Sequence, residues 1–255
     1  MIVTASGSDP EGGVLSYTWD LDNDGVFEIS GQSVTFSAAS LDGPSSHTIT
    51  VQVTDDGGLT ATDQATVNML NAAPTANLTI TPDSLFQGRS ATLAFSNQSD
   101  PSALDIADGF LYAYDCMNDG IFELEGISEV FYTCAYPTAG SFVARGRIED
   151  KDGGFTDYTV GITVLTPRQG IEGLIEEVGD LVTGGVLNSG QGNALIAKLE
   201  AAIRQLDRGN VATAINQLES FVNQVSTLIS SSVVPPDEGQ LLIDTANGIL
   251  AALGG

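Results

Sequence analysis

Positive charge is scarce in this sequence. Eight Lys and Arg stand against thirty-three Asp and Glu, giving a formal net charge of −25. Only two of the eight bases are lysines, Lys151 and Lys198. So acidic a surface repels nucleic acid and anionic membranes and argues against both as partners. It favours divalent cations or a salty medium, where a shorter Debye length relieves self-repulsion. Histidine is nearly absent. His47 stands alone, in a Ser45-Ser46-His47-Thr48 lead into a strand. With it goes most base-driven chemistry: no Gly-x-Ser-x-Gly elbow, His-Glu-x-x-His pair or phosphate loop is present. Carboxylate pairs of the kind used in glycoside hydrolysis would have to come from turns rather than from an evident cleft. These absences predict a non-enzyme.

Long apolar runs are missing too. No stretch reaches the ~18–20 apolar residues a spanning helix needs, and the last apolar stretch is interrupted by Gly248. Met1 leads directly into Ile2-Val3-Thr4-Ala5-Ser6, unlike a signal peptide. Cysteine is limited to Cys116 and Cys134. Two thiols alone cannot make a zinc site. A structural disulfide is their simplest use and implies an oxidising compartment; two unpaired buried cysteines are the alternative.

What is present is a repeat. Ser8-Asp9-Pro10 matches Ser99-Asp100-Pro101, and Tyr17-Thr18-Trp19-Asp20 matches Tyr112-Ala113-Tyr114-Asp115. Asp24-Gly25-Val26-Phe27-Glu28 matches Asp119-Gly120-Ile121-Phe122-Glu123, and the acidic turn from Val53 to Gly58 matches that from Ile148 to Gly154. Agreement at four separated points marks two copies of one unit. Alternating stretches such as Thr48–Val53, Ala65–Met69 and Tyr158–Val164, split by Gly, Asp, Pro and Ser turns, predict antiparallel β-sandwiches. Trp19 and Tyr114 are the expected core aromatics. Unit two has a lead-in strand over Thr75–Ile80 that unit one lacks. The reading therefore expects unit one, residues 1–70, to lack its first strand, and unit two to span 71–166. Either the chain is a piece of a longer secreted protein, or a partner completes the sheet by β-augmentation. The latter would let the chain self-associate as a fibre subunit.

The turn after Trp19 alternates carboxylates. Asp20, Asp22 and Asp24 on a curved loop, with Glu28 near and Gly25 for the bend, can face one calcium ion. An EF-hand is excluded, because its twelfth position is Gly31 rather than glutamate. The alternative is a solvated hairpin whose aspartates cap backbone N–H groups. Unit two keeps less of the pattern in Asp115, Asn118 and Asp119.

Ser8-Asp9-Pro10-Glu11-Gly12, Tyr17-Thr18-Trp19-Asp20, Val53-Thr54-Asp55-Asp56-Gly57-Gly58 and the Asn71-Ala72-Ala73-Pro74 linker together resemble the PKD domain, an immunoglobulin-like sandwich. Unit two departs further, with Tyr114 for Trp and Met117 where unit one has Asp22. The resemblance covers residues 1 to about 165. It implies repeat modules of secreted or surface proteins that act as spacers, adhesive elements or substrate-docking accessories of hydrolases. It also implies a calcium position where domain entrance, first long loop and late acidic turn converge. In unit two the matching residues are Asn71, Asp100 and Asp150, with Asp152 nearby. In unit one they are Asp9 and Asp55, without an entrance residue.

After Pro167 the apolar period changes to 3.6. Stripes at Ile171-Leu174-Ile175-Val178, Leu195-Leu199-Ala202-Ile203, Leu218-Phe221-Val222-Val225 and Leu242-Ala246-Ile249-Leu253 predict four helices in an antiparallel bundle over 168–255. Gly184-Gly185 ends the first helix, Asn210 is placed to cap the third, and Pro235-Pro236 starts the fourth. The run from Leu187 to Leu195, with Asn216-Gln217-Leu218, resembles the FIMAH module of secreted prokaryotic multidomain proteins. That resemblance implies an adhesive role. The combined expectation is a non-catalytic extracellular adhesion or spacer segment, possessing calcium as its cofactor and an unidentified protein or polysaccharide as its partner. A substrate-binding accessory of a secreted protease or glycosidase is the alternative.

Overall fold

The computed structural model describes residues 1–254, so Gly255, the last position of the 168–255 stretch, lies outside the described residues. The chain is β then α: immunoglobulin-like sandwich sheets followed by a helical region. The first unit contains β1 (Ile2–Thr4), β2 (Ser16–Asp20), β3 (Ile29–Ser30), β4 (Ser33–Thr35), β5 (Ser45–Thr54) and β6 (Thr60–Met69). Its larger sheet has the order β3-β2-β5-β6, and β1 pairs with β4 opposite it. Trp19, Val34, Phe36, Ile49 and Val51 form its buried core. The Trp19 indole N–H donates to the Gly31 carbonyl at 2.8 Å, which settles its one polar atom.

The second unit contains β7 (Thr75–Thr81), β8 (Ser84–Phe86), β9 (Arg89–Ser99), α1 (Ala103–Asp108), β10 (Leu111–Asp115), β11 (Leu124–Ile127), β12 (Phe131–Tyr136), β13 (Gly140–Glu149) and β14 (Phe155–Leu165). Its sheets run β11-β10-β13-β14-β8 and β12-β9-β7. Here β7 covers the edge of β9, and β8 runs parallel to β14. Unit one has no strand at either position. The consequence is visible in burial: fifteen residues form the buried core of unit two against five in unit one. Tyr114 takes the place of Trp19, fully buried, with its hydroxyl donating to the Glu129 carbonyl at 3.0 Å. Cys116 and Cys134 are joined as a disulfide inside this core.

Four helices follow: α2 (Pro167–Thr183), α3 (Ser189–Leu206), α4 (Val211–Ser230) and α5 (Pro236–Ala252). Capping boxes start α2 at Thr166 with Gln169 and α3 at Asn188 with Gln191. Asn210 stands at the N-cap of α4 but does not cap it through its side chain. Its amide instead donates to the Gln205 side chain at 3.0 Å, which holds the α3–α4 turn. The predicted stripes form one core, and Phe86 of β8 packs against it from unit two. Gly170 and Gly248 leave the space that ring fills; a Cβ on Gly248 would lie 2.9 Å from it.

Candidate metal centres

Strand β2 ends in Asp20, which is 2% exposed. Its carboxylate bends the following loop around itself: the Asp24 N–H donates to Oδ1 at 3.2 Å and the Gly25 N–H to Oδ2 at 2.9 Å. Asp24 in turn accepts from the Val26 N–H at 2.8 Å. The path requires positive φ at Asn23 (61°) and Gly25 (93°), the region Asn and Gly tolerate best. The loop thereby gathers Asp20, Asp22, Asp24 and Glu28, each offering an oxygen within 4.8 Å of the others. Among the described residues no base pairs with any of them. The aspartates Asp20 and Asp24 cap the backbone of their own turn, and the four acids stay grouped around it.

The same turn recurs in unit two. Asn118 and Gly120 repeat the positive φ values, at 50° and 96°. Asp115 accepts from the Asp119 N–H at 3.2 Å and the Gly120 N–H at 3.0 Å. One thing differs. Arg145 on β13 reaches across and pairs with Asp115 Oδ2 at 3.0 Å. The strand registers place Thr50 at the matching position of unit one, and its hydroxyl donates only to Asn23 Oδ1. The Glu123 carboxylate, counterpart of Glu28, accepts from the Cys116 N–H at 2.8 Å.

A second group lies at the junction of the sandwich units. Asn71 leaves unit one, and its amide donates to both oxygens of Asp150 at 3.1 and 3.0 Å. Asp150, 2% exposed, also accepts from the Asp152 and Gly154 N–H groups. A Cβ on Gly154 would lie 2.6 Å from the Asn71 amide nitrogen, so a glycine is needed for the linker to approach. Asp100 and Asp105 complete the group: Asp100, Asp105 and Asp150 each offer an oxygen within 4.8 Å of the others, all three buried. Asp105 comes from α1, capped by Ser102. It is fully buried, and neither of its oxygens has a directed hydrogen bond. Oδ1 meets the Lys151 ammonium as an ion pair at 2.8 Å, while Oδ2 has no partner, and neither does Asp100 Oδ2. Burial raises the Asp100 pKa, and the charges of Asp105, Asp150 and Asp42 add to the rise.

Lys151 is the one base in this group. Besides Asp105 it pairs with Asp152 and with Asp42, the latter from unit one. These contacts, Asp105 first, push its pKa well above the usual lysine value, and the same ammonium lowers that of Asp42. Of the residues singled out in the sequence, Asn71, Asp100, Asp150 and Asp152 therefore meet here. Asp9 and Asp55 do not form such a group. Asp9 accepts from the Glu11 and Gly13 N–H groups and Asp55 from the Leu59 N–H, each within its own turn. Leu59 stands at the place of Gly154, judged by the matching turn bonds, and its side chain is exposed.

Asp105, Asp42, Lys151 and Arg145 are not among the residues singled out in the sequence. Asp105 had one signal. Ser8 and Ser99 differ by 91 positions, Tyr17 and Tyr112 by 95, so unit two carries four extra residues where α1 sits.

Residues 171–251 match the FIMAH domain family. No curated protein matches the chain. Among solved structures the chain is similar to the PKD1 domain of Vibrio anguillarum Epp, at 25% identity over 38% of this chain and 99% of that one, TM-score 0.28. It is similar to the amphioxus IgVJ-C2 molecule at 11% identity over 64% of this chain and 95% of that one, TM-score 0.35. A carbohydrate-binding module of the β-sandwich superfamily shows 23% identity over 38% of this chain, TM-score 0.32, and only 36% of that module's chain is spanned. Among the described residues no helix is long and apolar enough to cross a membrane.

Proposed function

We propose that the chain is a non-catalytic, extracellular spacer or adhesion segment of a larger secreted or surface protein. Its two sandwiches are PKD-type units, and calcium stiffens the joint between them. The observation that carries this reading is the buried trio Asp100, Asp105 and Asp150 beside Asn71. Three carboxylates taken out of water with one ammonium nearby are costly unless a cation compensates them. Two of their oxygens face no donor at all. Calcium takes six to eight oxygens and accepts irregular sets of carboxylates and amides, which suits these residues. The ion would supply charge neutralisation and a rigid link between linker, α1 and the β13–β14 turn. Asn71 holds an amide there that presents oxygen if rotated about its last side-chain bond. The Asp20-Asp22-Asp24-Glu28 turn is a second calcium candidate of the same kind. The disulfide supports an oxidising, extracellular setting. Small-angle scattering on chelator-treated full chain tests the stiffening. Millimolar calcium should narrow the distribution of inter-unit distances; an unchanged scattering profile would contradict it.

One observation favours a second reading, in which another copy of the chain lends a strand to unit one. On β6 the inward positions Ala61, Asp63 and Ala65 are exposed, whereas their matches Thr156, Tyr158 and Val160 are half-buried in unit two. There β7 covers them, with the Ala76 N–H donating to the Tyr158 hydroxyl at 3.0 Å. In unit one the same place is a cavity of ≈ 240 Å³ lined by Thr4, Trp19, Ile49, Val51 and Ala65. Light scattering that shows growth in mass with concentration supports strand exchange, and a monomer at every concentration rules it out.

A further inference from the structure

Asp105 belongs to two carboxylate groups at once. With Asp100 and Asp150 it forms the buried trio; with Asp42 and Asp152 it forms a second, outer group, again with oxygens within 4.8 Å of one another. The two groups thus share a wall. The Lys151 ammonium touches all three acids of the outer group and is paired with none of the other two. We propose that the junction has two adjoining cation positions sharing Asp105. The inner one takes a divalent ion, and the outer one is filled by the chain's own Lys151, which competes with that ion for Asp105. This deepens the calcium reading and rests on it for the identity of the inner ion.

The physical argument is one of charge and reach. Five carboxylates lie in two groups that share Asp105, with one base among them, so the junction keeps an excess of negative charge that a second cation can offset. Asp105 Oδ1 is held by the ammonium and Oδ2 is free. A divalent ion that draws both oxygens inward must weaken the Lys151 contact, because an ammonium and a dication this close repel. Lys151 also ties unit two to Asp42 of unit one. Ion binding therefore weakens the ammonium bridge between the units and replaces it with a link through the ion itself, which joins Asp105 and Asp150 to the linker. An internal competitor of this kind lowers apparent affinity by the fraction of time it occupies the shared ligand. It sets the calcium level at which the joint responds.

The test is calcium titration calorimetry, with thermal unfolding, on the full-length wild type, Lys151→Met and Lys198→Met. Lys198→Met, on α3 and half-buried, removes the same charge from the helical region rather than the junction. Lys151→Met should bind calcium about tenfold or more tightly than wild type, and Lys198→Met should bind as wild type does. Equal affinity for all three overturns the competition while leaving the calcium reading intact. Binding by Lys151→Met with none by wild type supports the competition and removes calcium from the wild-type function. No binding by any of them overturns both. If Lys151→Met does not fold in chelator, folding on addition of calcium supports the inference, and failure to fold with calcium present overturns it.

Discussion

The two sandwich units place the same buried aspartate at the head of the same turn and satisfy it by different means. In unit two, Asp115 has Arg145, and the residue after it is tied to β12 by the Cys116–Cys134 disulfide. Arg145 in turn lies over the Phe122 ring, 4.4 Å from its centroid. In unit one, Thr50 replaces that arginine, and Asp20 shares its loop with Asp22, Asp24 and Glu28 without a base. One turn is closed by the chain's own cation and a covalent bond. The other gathers four carboxylates, three of them exposed, with no base among them. The junction stands between these extremes, with one lysine among five acids. The lesson is that repeat units of one fold can distribute their demand for cations unequally, and the positions of the few bases mark which sites are already served.

The largest effect expected from this contrast is in unit two. Arg145→Met leaves Asp115 fully buried and unpaired, a defect that costs about 3–5 kcal/mol; denaturant unfolding should register it. Replacing both Cys116 and Cys134 by Ser should cost about 3 kcal/mol, since the bond closes a loop of sequence separation 18. In unit one the sign reverses. Asp24→Asn removes a repelling charge and should change stability in chelator by about 0.5 kcal/mol or less. It should, however, abolish the turn's share of any calcium-induced rise in melting temperature. The smallest effect is that of salt. Raising ionic strength in chelator should slow hydrogen exchange at the Gly25 N–H more than at the Gly120 N–H, because the first turn gathers four carboxylates without a base, whereas Arg145 already offsets the buried Asp115 of the second. Equal slowing would erase the distinction drawn between the turns.

Much of this was legible in the sequence for identifiable reasons. Strand periodicity and the matched turns exposed the repeat, and the 3.6 period exposed the helices, because both patterns are local. The cysteine pair and the Asp20-Asp22-Asp24 alternation were legible for the same reason. What escaped was set by register and insertion. Arg145 meets Asp115 only because β13 pairs with β10 in one register, and no spacing along the chain announces it. Asp105 sits on a helix that unit one does not have, so the repeat offered no counterpart to compare. Lys151 looked like an ordinary turn residue until Asp42 arrived from the other unit. Asn210 has the position of a cap, but its backbone is not extended there (ψ 63°), and its side-chain oxygen takes no helix N–H while its amide nitrogen donates to Gln205.

The account turns on whether the junction binds calcium through Asp105, and titration calorimetry of the chelator-treated wild type beside Asp105→Asn addresses that directly. The prediction is a saturable binding event in the wild type, accompanied by a calcium-dependent rise in melting temperature, with the junction component missing in Asp105→Asn. Heat indistinguishable from dilution into buffer, with no shift in melting temperature for either protein, would contradict it.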